Sequence, residues 1–324
     1  MTDKELSYIL AIAEERNVTR AAERLHLAQP SLTQTLRKIE EGLGCALFVR
    51  RKYGLDPTEA GKLYIEMARD ILLRMQTFAD DLSKLKNPLS GRLSIGASWY
   101  NTLLFLADII PEVNRRFPMV ELTLTEKGSN DLMTLFSEHA LDLCLVHEYP
   151  KAHARGRRKL SKEMNRKKLI DEPFCVVAHR KFGLDSLACN GQIDLEKLKT
   201  CPFISFNPNQ RIRKITDAAF EQAGVQTRKV VMTQSFPGAL NLAERGVGLS
   251  VLPAFYVLRN LKKDADLSSY VIDPGWNAYW SAYVYYRSDA SGELVKCVLA
   301  ILETVAEELK KENAGSGGQG RETK

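Results

Sequence analysis

The sequence contains none of the short patterns that mark common catalytic or cofactor sites. It has no G-x-S-x-G nucleophile turn, no H-E-x-x-H zinc motif, no P-loop and no dinucleotide-binding glycine pattern. His147 and His153 are spaced too loosely to indicate a metal site. We therefore expect a protein that is not an enzyme, with no catalytic residues and no bound metal or cofactor.

Cysteine is sparse and has no recognisable spacing. Six cysteines occur in 324 residues, none in a C-x-x-C pair, at positions 45, 144, 175, 189, 201 and 297. We identify no signal peptide and no long apolar span beside them. We expect a cytoplasmic protein without membrane contact, in which thiols stay reduced. Cys189 and Cys201 are a candidate redox pair, but buried and unreactive thiols are the preferred interpretation.

Positive charge is also scarce where it would be expected for unspecific nucleic-acid binding. Residues 1 to 90 hold 14 Lys and Arg against 13 Asp and Glu, and the cations concentrate at Arg37-Lys38 and Arg50-Arg51-Lys52. This favours docking at a few phosphates. The net charge of +6 comes mainly from residues 151 to 181, with 11 Lys and Arg against 3 Asp and Glu. The run 151–168 is either a solvated surface loop, which we prefer, or a second contact to DNA or an acidic partner.

A helix, a tight turn and a second helix are predicted within residues 19 to 44. Thr19 is a candidate N-cap for a helix over 20–26. Pro30 suits the first position of the next helix, where its missing N–H costs nothing, and this helix runs to about Glu41. Gly42 and Gly44 then end it. The arrangement is typical of a helix-turn-helix.

The helix that begins at Pro30 separates an apolar stripe of Leu32, Leu36 and Ile39 from a polar face. Gln pairs with adenine in the major groove, Ser and Thr bond either base type, and Arg serves guanine or phosphate. A solvated polar face is the alternative. The basic turn at 50–54 favours DNA reading, because a short hairpin, or wing, reaches a backbone or minor groove. The predicted DNA contacts are Thr19, Gln29, Pro30, Ser31, Thr33, Gln34, Arg37, Arg50, Arg51 and Lys52.

Residues 58 to 86 are predicted to form one long helix, which Thr58 can cap. Apolar residues recur along it at alternating steps of four and three, a heptad spacing that favours a helical partner. Packing of this helix on its own domain is the alternative. The series is Tyr64, Ala68, Ile71, Met75, Phe78, Leu82 and Leu85. Asn87 to Gly91 then form a predicted hinge.

Residues 91 to 312 alternate predicted strands and helices, from a strand at 92–96 to a closing helix at 292–311. This alternation is typical of α/β proteins with parallel strands and covered faces. The segment is longer than one compact set of layers prefers, so two similar subdomains are predicted. After the basic run, the next strand is predicted at 174–178. Residues 313–324 are Gly-rich and polar, and we predict that they are disordered.

These features together resemble the LysR-type transcriptional regulators. The matching positions keep fixed spacings over some sixty residues: Ala21-Ala22, Leu25, Gln29-Pro30-Ser31, Leu32, Ile39-Glu40, Leu43-Gly44, Leu47-Phe48, Arg50 and Leu55 through Gly61. Thr33 and Pro57 depart from the commonest residues, serine and leucine, without removing a DNA-reading group. Arg16-Asn17-Val18 replaces a commoner glycine-serine-aromatic turn, which affects only the local turn.

The resemblance implies an α/β protein in four parts: a winged helix-turn-helix DNA-binding domain over 1–57, a linker and dimerisation helix over 58–86, an effector-binding domain of two periplasmic-binding-protein-like subdomains over 91–312, and the tail 313–324. It implies double-stranded DNA and a small-molecule effector as partners. It also implies a homodimer that assembles further to a homotetramer, and RNA polymerase as a candidate partner. Relatives that sense peroxide carry a reactive cysteine in the segment matching Asn207–Lys214, and this segment has none here.

The predicted effector contacts lie where strands end and helices begin. Backbone N–H groups and hydroxyls at such places favour an anion, and in this fold they meet in one crevice. Plain helix capping is the alternative for each hydroxyl. Trp99 and Tyr100 either stack on a planar ligand or only narrow the cleft. The residues are Ser98, Trp99, Tyr100, Asn101, Thr102, Ser129, Ser205, Asn207, Pro237 and Gly238.

Two functional hypotheses follow. The first is a dimeric or tetrameric sequence-specific DNA-binding regulator, controlled by a small anionic metabolite bound between the two effector subdomains. The second is a small-molecule binding protein whose DNA module is architectural or vestigial. The sequence identifies neither the effector nor the operator, and it does not distinguish activation from repression.

Overall fold

The structure of the chain is a computed structural model that describes residues 1–51, 54–86, 91–150, 164–198, 201–262, 265–287 and 293–316. Two compact units emerge, one of Met1–Arg92 with Ser137–Ala140 and the other of Leu93–Phe136 with Leu141–Lys324. Within the described ranges, no helix is both long and apolar enough to cross a membrane.

Three helices open the first unit: α1 Asp3–Glu15, α2 Val18–Arg24 and α3 Gln29–Leu43. The predicted N-cap of the second helix was wrong by two residues. The Asn17 Oδ1 atom accepts from the backbone N–H groups of Thr19 and Arg20 at 2.8 and 3.2 Å, which makes Asn17 the cap. Asparagine at least equals threonine as a cap, so the helix begins at Val18.

The wing is the hairpin of β1 Phe48–Arg51 and β2 Gly54–Pro57, in which Arg51 pairs with Gly54. Lys52, a predicted contact at its tip, lies outside the described residues. The Glu40 carboxylate in α3 accepts from the backbone N–H groups of Leu47 and Phe48 at 2.7 and 3.3 Å. This carboxylate ties the start of the wing to α3.

The long helix α4 spans Glu59–Lys86, and Thr58 caps it as predicted, accepting from the Gly61 N–H at 2.9 Å. Gly61 has no substitute here, because an added Cβ would lie 2.0 Å from the Leu47 carbonyl oxygen. The start of α4 is thereby held against the beginning of the wing.

The heptad series along α4 divides into two parts. Tyr64 and Ala68 are buried in the core of the first unit, and Ile71 packs against that core. Met75, Phe78 and Leu82 are instead 52 %, 65 % and 44 % exposed. The side chain of Leu85 is outside the described set. Packing on the helix's own domain therefore accounts for the first half of the series and not for the second.

The second unit has one mixed sheet of eleven strands in the described part of the chain, ordered β10-β9-β11-β6-β13-β5-β3-β4, with β12, β8 and β7 off this path. The strands are β3 Gly91–Ala97, β4 Val120–Glu126, β5 Leu143–Glu148, β6 Met164–His179, β7 Ala188–Cys189, β8 Gln192–Ile193, β9 Pro202–Phe206, β10 Arg228–Thr233, β11 Leu249–Pro253, β12 Leu267–Ile272 and β13 Tyr279–Arg287.

Helices cover this sheet. They are α5 Trp99–Asn101, continued without a break by a π-helical segment Thr102–Leu106 and by α6 Ala107–Arg116, then α7 Ser129–Ser137, α8 Leu184–Leu187, α9 Arg211–Gln222, α10 Phe236–Glu244, α11 Ala254–Asn260 and α12 Glu293–Ser316. A main apolar core runs through both ends of the sheet, and a smaller cluster lies between α7 and β5. Short 3₁₀ turns lie at Arg180–Phe182, Leu195–Leu198 and Pro274–Trp276.

Two halves of the unit share strand β6. Its beginning pairs with β13, next to β5, β3 and β4, while its end pairs with β11 and β12 of the other half. Parallel pairing holds within each half, between β3 and β5 and between β9 and both β10 and β11. The predicted α/β class and two-subdomain architecture are confirmed, with antiparallel strands where the halves meet.

Several element boundaries differ from the sequence predictions. Strand β6 starts at Met164 and not at residue 174, because Asn165 to Asp171 pair with β13. Residues 151–163, the larger part of the basic run, lie outside the described residues. Helix α12 continues to Ser316, into the predicted tail 313–324, of which 317–324 are not described. The elements α8, β7, β8, α11 and β12 were not predicted.

Candidate nucleic-acid interface and ligand cavity

Helix α3 presents the predicted polar face to solvent. Gln29, Ser31, Gln34 and Arg37 are exposed, whereas Leu32 and Leu36 on the other side are buried. The Gln29 amide donates to the Thr33 hydroxyl at 2.8 Å, and Thr33 is half-buried. The apolar stripe therefore holds α3 on its unit and leaves the polar face available.

Other predicted contacts of the same unit are also accessible. Arg50 and Arg51 are exposed on β1, Thr19 is exposed in the first turn of α2, and Pro30 stands in the first turn of α3. No side chain caps the N-terminus of α3, and its first turn holds no acidic residue. Backbone N–H groups at such an end suit a phosphate.

The second unit encloses a cavity of 620 Å³. This volume lies within the range of about 300–1,000 Å³ that is usual for small-molecule sites. The wall combines aromatic rings, hydroxyl and amide groups, and charged side chains. It is formed by Ser98, Trp99, Tyr100, Glu126, Lys127, Gly128, Ser129, Asn130, Asp131, His147, Tyr149, Asn209, Gln210, Arg211, Ile212, Lys214, Phe236 and Trp280.

Both halves of the sheet contribute to the wall. Strands β3 and β4 lead into α5 and α7 on one side, and β9 leads into the turn before α9 on the other. Contacts also cross between the halves, since Trp99 and Phe236 meet edge to face with ring centroids 5.1 Å apart. The cavity thus occupies the crevice where the fold predicts a ligand.

Four of the ten predicted effector contacts line this cavity: Ser98, Trp99, Tyr100 and Ser129. Ser98 also caps α5, accepting from the Asn101 N–H at 3.2 Å, so capping and cavity lining occur together. Ser129 is the first residue of α7, which follows β4, whereas Ser98 follows β3 of the same half.

The other six predicted contacts do not line it. The Asn101 amide donates to the Leu145 carbonyl at 2.9 Å, and the Thr102 hydroxyl donates to the Ser98 carbonyl at 3.2 Å. Ser205 is fully buried inside β9. Asn207 follows β9, whereas Pro237 and Gly238 stand in the first turn of α10, where the Gly238 N–H donates to the Ser235 hydroxyl at 3.1 Å. Local hydrogen bonding explains the positions of Asn101, Thr102 and Gly238 without a ligand.

Sequence reasoning missed the cations of the wall. Arg211 and Lys214 lie in the first turn of α9, and Lys127 follows β4. The α9 cap, Gln210, makes no side-chain bond to the helix, and its amide donates instead to the Gln234 carbonyl at 3.0 Å. A basic first turn is unusual at the positive end of a helix, and this signal could have identified the site.

A buried carboxyl group supports the aromatic part of the wall. Glu172 is fully buried in β6 and accepts from the Tyr100 hydroxyl at 2.5 Å, the Trp280 indole at 2.7 Å and the Phe255 backbone N–H at 3.0 Å. His147 stacks on Trp280 with centroids 4.1 Å apart, and its Nε2 atom stays 4.0 Å from Glu172. Donors from α5, α11 and β13 therefore converge on one residue.

Burial controls ionisation in this cluster. Desolvation raises the pKa of Glu172 from 4.5 to about 7, although the three donors oppose the shift. Burial, and then the charge of Arg211, lower the pKa of His147 from 6.5 to about 3. Burial and the nearby Glu172 carboxyl also raise the pKa of Tyr100. The imidazole is consequently neutral at physiological pH.

Within the described ranges, no group of three or more His, Cys, Asp or Glu side chains is placed to hold a metal ion. All six cysteines are free thiols. Cys189 is exposed and Cys201 is half-buried, which corrects the preferred interpretation of these two thiols as buried, whereas Cys144 and Cys175 are buried. Burial raises the pKa of both to about 12, so these two thiols are poorly reactive.

Two family models cover most of the chain. Residues 4–62 match the bacterial regulatory helix-turn-helix protein of the lysR family, and residues 86–307 match the LysR substrate binding domain. Among curated relatives, the chain is 26 % identical over 256 residues to the HTH-type transcriptional regulator BsdA of Bacillus subtilis, covering 78 % of this chain and 84 % of that protein. It is 28 % identical over 269 residues to the DNA-binding transcriptional dual regulator OxyR of Escherichia coli, covering 82 % of this chain and 83 % of that protein.

Solved structures share the fold. CbnR, crystallised at full length with its target DNA, aligns with a TM-score of 0.67 at 19 % identity, over 94 % of this chain and all of that one. A full-length, singly substituted OxyR from Pseudomonas aeruginosa aligns with a TM-score of 0.63 at 23 % identity, over 95 % of each chain. The curated relatives are transcription regulators and not enzymes.

We expect Glu172→Gln to remove one component of the pH dependence of stability. Between about pH 4.5 and 7 the native carboxyl keeps a proton that the unfolded chain has released, so rising pH lowers the free energy of unfolding. Gln does not titrate, and urea denaturation from about pH 5 to 8 should lack this component. One donor also loses its acceptor, which should cost about 1–3 kcal/mol at the lower pH.

The neighbouring exposed residue provides a control, because Asp171→Asn should leave the wild-type slope unchanged. His147 acts in the opposite sense below pH 6.5, and it does so in wild type and both variants. Equal slopes for wild type and Glu172→Gln would show that the carboxyl group does not titrate in this interval.

Proposed function

We propose, since the chain belongs to the LysR family of bacterial transcriptional regulators, that α3 and the wing read an operator and that a small anion in the cavity controls this binding. A DNA-binding regulator with an effector-binding domain is the coarse description that family membership establishes. The finer proposal depends mainly on one observation: a cavity lined by both halves of the second unit, with cations at the start of α9. Family membership favours this hypothesis over an architectural or vestigial DNA module.

Reading by α3 is supported by the exposure of its polar face above a buried stripe. Gln34 and Arg37 are one turn apart and exposed, as base-contacting side chains of a recognition helix must be. Arg50 and Arg51 project from the wing, where charge serves backbone or minor-groove contact. Lys52 and Thr19 remain predicted contacts of the same kind.

A homodimer through α4 is supported by the exposed half of its heptad series. Met75, Phe78 and Leu82 are large apolar side chains in water along one seam of the helix, and a second copy of α4 would cover them. Such a pair would set the separation of two recognition helices and would favour a partly symmetric operator. Assembly to a tetramer, contact with RNA polymerase and a cytoplasmic location remain predictions.

The anionic character of the effector is supported by the charges of the wall. Lys127, Arg211 and Lys214 outnumber Glu126 and Asp131, which leaves a net charge of +1 with His147 neutral. The hydroxyls of Ser98 and Ser129 add neutral hydrogen-bonding groups. A monoanion therefore balances the wall better than a cation or a polyanion.

Replacement of α3 and wing residues should separate base reading from phosphate contact. On a duplex that the protein selects from a random-sequence pool, Gln34→Ala should cost about 1–3 kcal/mol and relax preference at one base pair. Arg51→Ala should weaken all duplexes alike and reduce the slope of log K against log salt by about one. Fluorescence anisotropy measures both. Gln226→Ala, an exposed amide in the second unit, is the control.

Equal affinity of wild type and Gln34→Ala for every duplex would contradict base reading. A wild-type protein that selects no sequence would favour the architectural hypothesis.

Phe78→Asp should convert the homodimer to monomers, because it places a charge in the centre of the exposed apolar seam. Sedimentation velocity measures the change. Leu63→Asp makes the same chemical change at a 69 % exposed position of α4 outside the heptad series, and should remain dimeric. A wild type that sediments as a monomer at micromolar concentration would refute the α4 dimer.

Arg211→Ala should abolish stabilisation by carboxylates. A ligand that binds only the folded state raises thermal stability by mass action. At least one acid in a set of mono-, di- and tricarboxylates from acetate to citrate, with benzoate, should raise the Tm of wild type. The variant should not respond, whereas Arg228→Ala, an exposed arginine outside the cavity, should behave as wild type. If no carboxylate raises the Tm of wild type, or if Arg211→Ala shows the same rise in Tm, the proposal of an anionic effector is contradicted.

A further inference from the structure

The aromatic composition of the cavity wall exceeds what an anion site needs. Trp99, Tyr100, His147, Tyr149, Phe236 and Trp280 all line the cavity, against three cations and two carboxylates. An inorganic anion or a short aliphatic acid is held by charge and N–H groups, and it gains little from flat apolar surface. The rings therefore indicate the body of the ligand, whereas the cations indicate its charged group.

Trp99 is the most exposed of the aromatic rings that line the cavity. Its side chain is 41 % exposed, while Tyr100, Phe236 and Trp280 are 3 %, 4 % and 5 % exposed. It meets Phe236, Tyr100 and Tyr256 edge to face, with ring centroids 5.1, 5.8 and 6.4 Å apart, and these contacts leave the exposed part of the indole open to the cavity. An indole at the start of a helix that leads off the cavity can stack on a planar guest.

The rings beneath Trp99 are fixed in place. Tyr100 and Trp280 each donate to Glu172, and Trp280 stacks on His147. A rigid aromatic surface loses little conformational freedom when a ligand binds, which favours flat ligands that match its shape. A saturated ring is thicker and makes fewer contacts with it.

The charged end of the cavity adjoins the ring surface. Arg211 and Lys214 stand in the first turn of α9, whose cap residue makes no side-chain bond to the helix. The Arg211 guanidinium lies 5.3 Å from the centroid of Tyr149, so the cation and the rings adjoin. A carboxylate at the start of α9 can leave its ring against the aromatic wall.

Resting on the proposed function, we propose that the effector is a planar aromatic monocarboxylate, with its ring on the face of Trp99 and its carboxylate at the first turn of α9. This decides between the two sequence-based interpretations of Trp99 in favour of stacking. The residue sets ring specificity, whereas Arg211 supplies recognition of charge.

Calorimetry on the full-length protein tests the assignment with four probe classes: benzoate and its hydroxy-, amino- and chloro-substituted forms, cyclohexanecarboxylate, hexanoate and benzamide. At least one benzoate should bind about 10-fold or more tightly than cyclohexanecarboxylate, which has the same carbon count but no flat face, and than neutral benzamide. If no benzoate exceeds its saturated counterpart, the inference is overturned.

Variants of Trp99 separate stacking from simple narrowing of the cleft. Trp99→Ala should weaken the best benzoate about 3- to 10-fold and leave cyclohexanecarboxylate within about 2-fold, and Trp99→Phe should restore most of the loss. Trp276→Phe replaces a tryptophan outside the cavity and should change neither affinity. Equal losses for the flat and the saturated acid, or tighter binding by Trp99→Ala, would refute stacking.

The outcomes distinguish the two proposals. Aliphatic and aromatic acids that bind equally, in an Arg211-dependent manner, would overturn the aromatic assignment and leave the anionic effector in place. Benzamide that binds as tightly as benzoate would overturn the anionic effector and retain the ring site. Binding by none of the four classes would overturn the aromatic carboxylate.

Discussion

The hydrogen bonds to Glu172 are the interaction on which the second unit most depends. An isolated buried carboxyl is costly, and the fold tolerates this one because three donors surround it. Those donors come from α5, α11 and β13, while Glu172 belongs to β6, the strand shared by the two halves. The cavity wall therefore contains rings that are fixed by the same group that joins the halves. The positions of the rings in the cavity wall are therefore linked to the arrangement of the two halves.

The first unit is governed by a comparable constraint, the close contact between the start of α4 and the start of the wing. Gly61 approaches the Leu47 carbonyl too closely for any side chain, and Glu40 holds the N–H groups of Leu47 and Phe48. The wing arginines are thus positioned by a glycine and a carboxylate that are not among the predicted DNA contacts. A heptad series that begins in this core must serve two purposes, since its first members are buried there and its later members are exposed.

Periodic and local signals explain what the sequence could predict. The cap at Thr58 and the polar face of α3 follow from capping chemistry and helical period, both of which are local. The long β6 was missed because its basic first half reads as a loop and is a strand only through pairing with β13. Arg211, His147 and Trp280 were missed as wall residues because α9, β5 and β13 meet only in the folded unit. Conversely, Asn101 and Thr102 were predicted from chemistry that proved to serve neighbouring carbonyl groups.

The free energy of one hydrogen bond is comparable with the free energy that couples effector binding to DNA binding in regulators. Coupling between an effector and DNA is commonly about 1–3 kcal/mol. Leaving a buried donor or acceptor without its partner costs about 1–3 kcal/mol, so the loss of one bond at Glu172 is of the same size as this coupling. Tyr100 and Trp280 each present a ring to the cavity and a donor to Glu172. We propose that a ligand that moves either ring alters its bond to Glu172, the carboxyl group that also accepts from the Phe255 N–H of α11 in the other half.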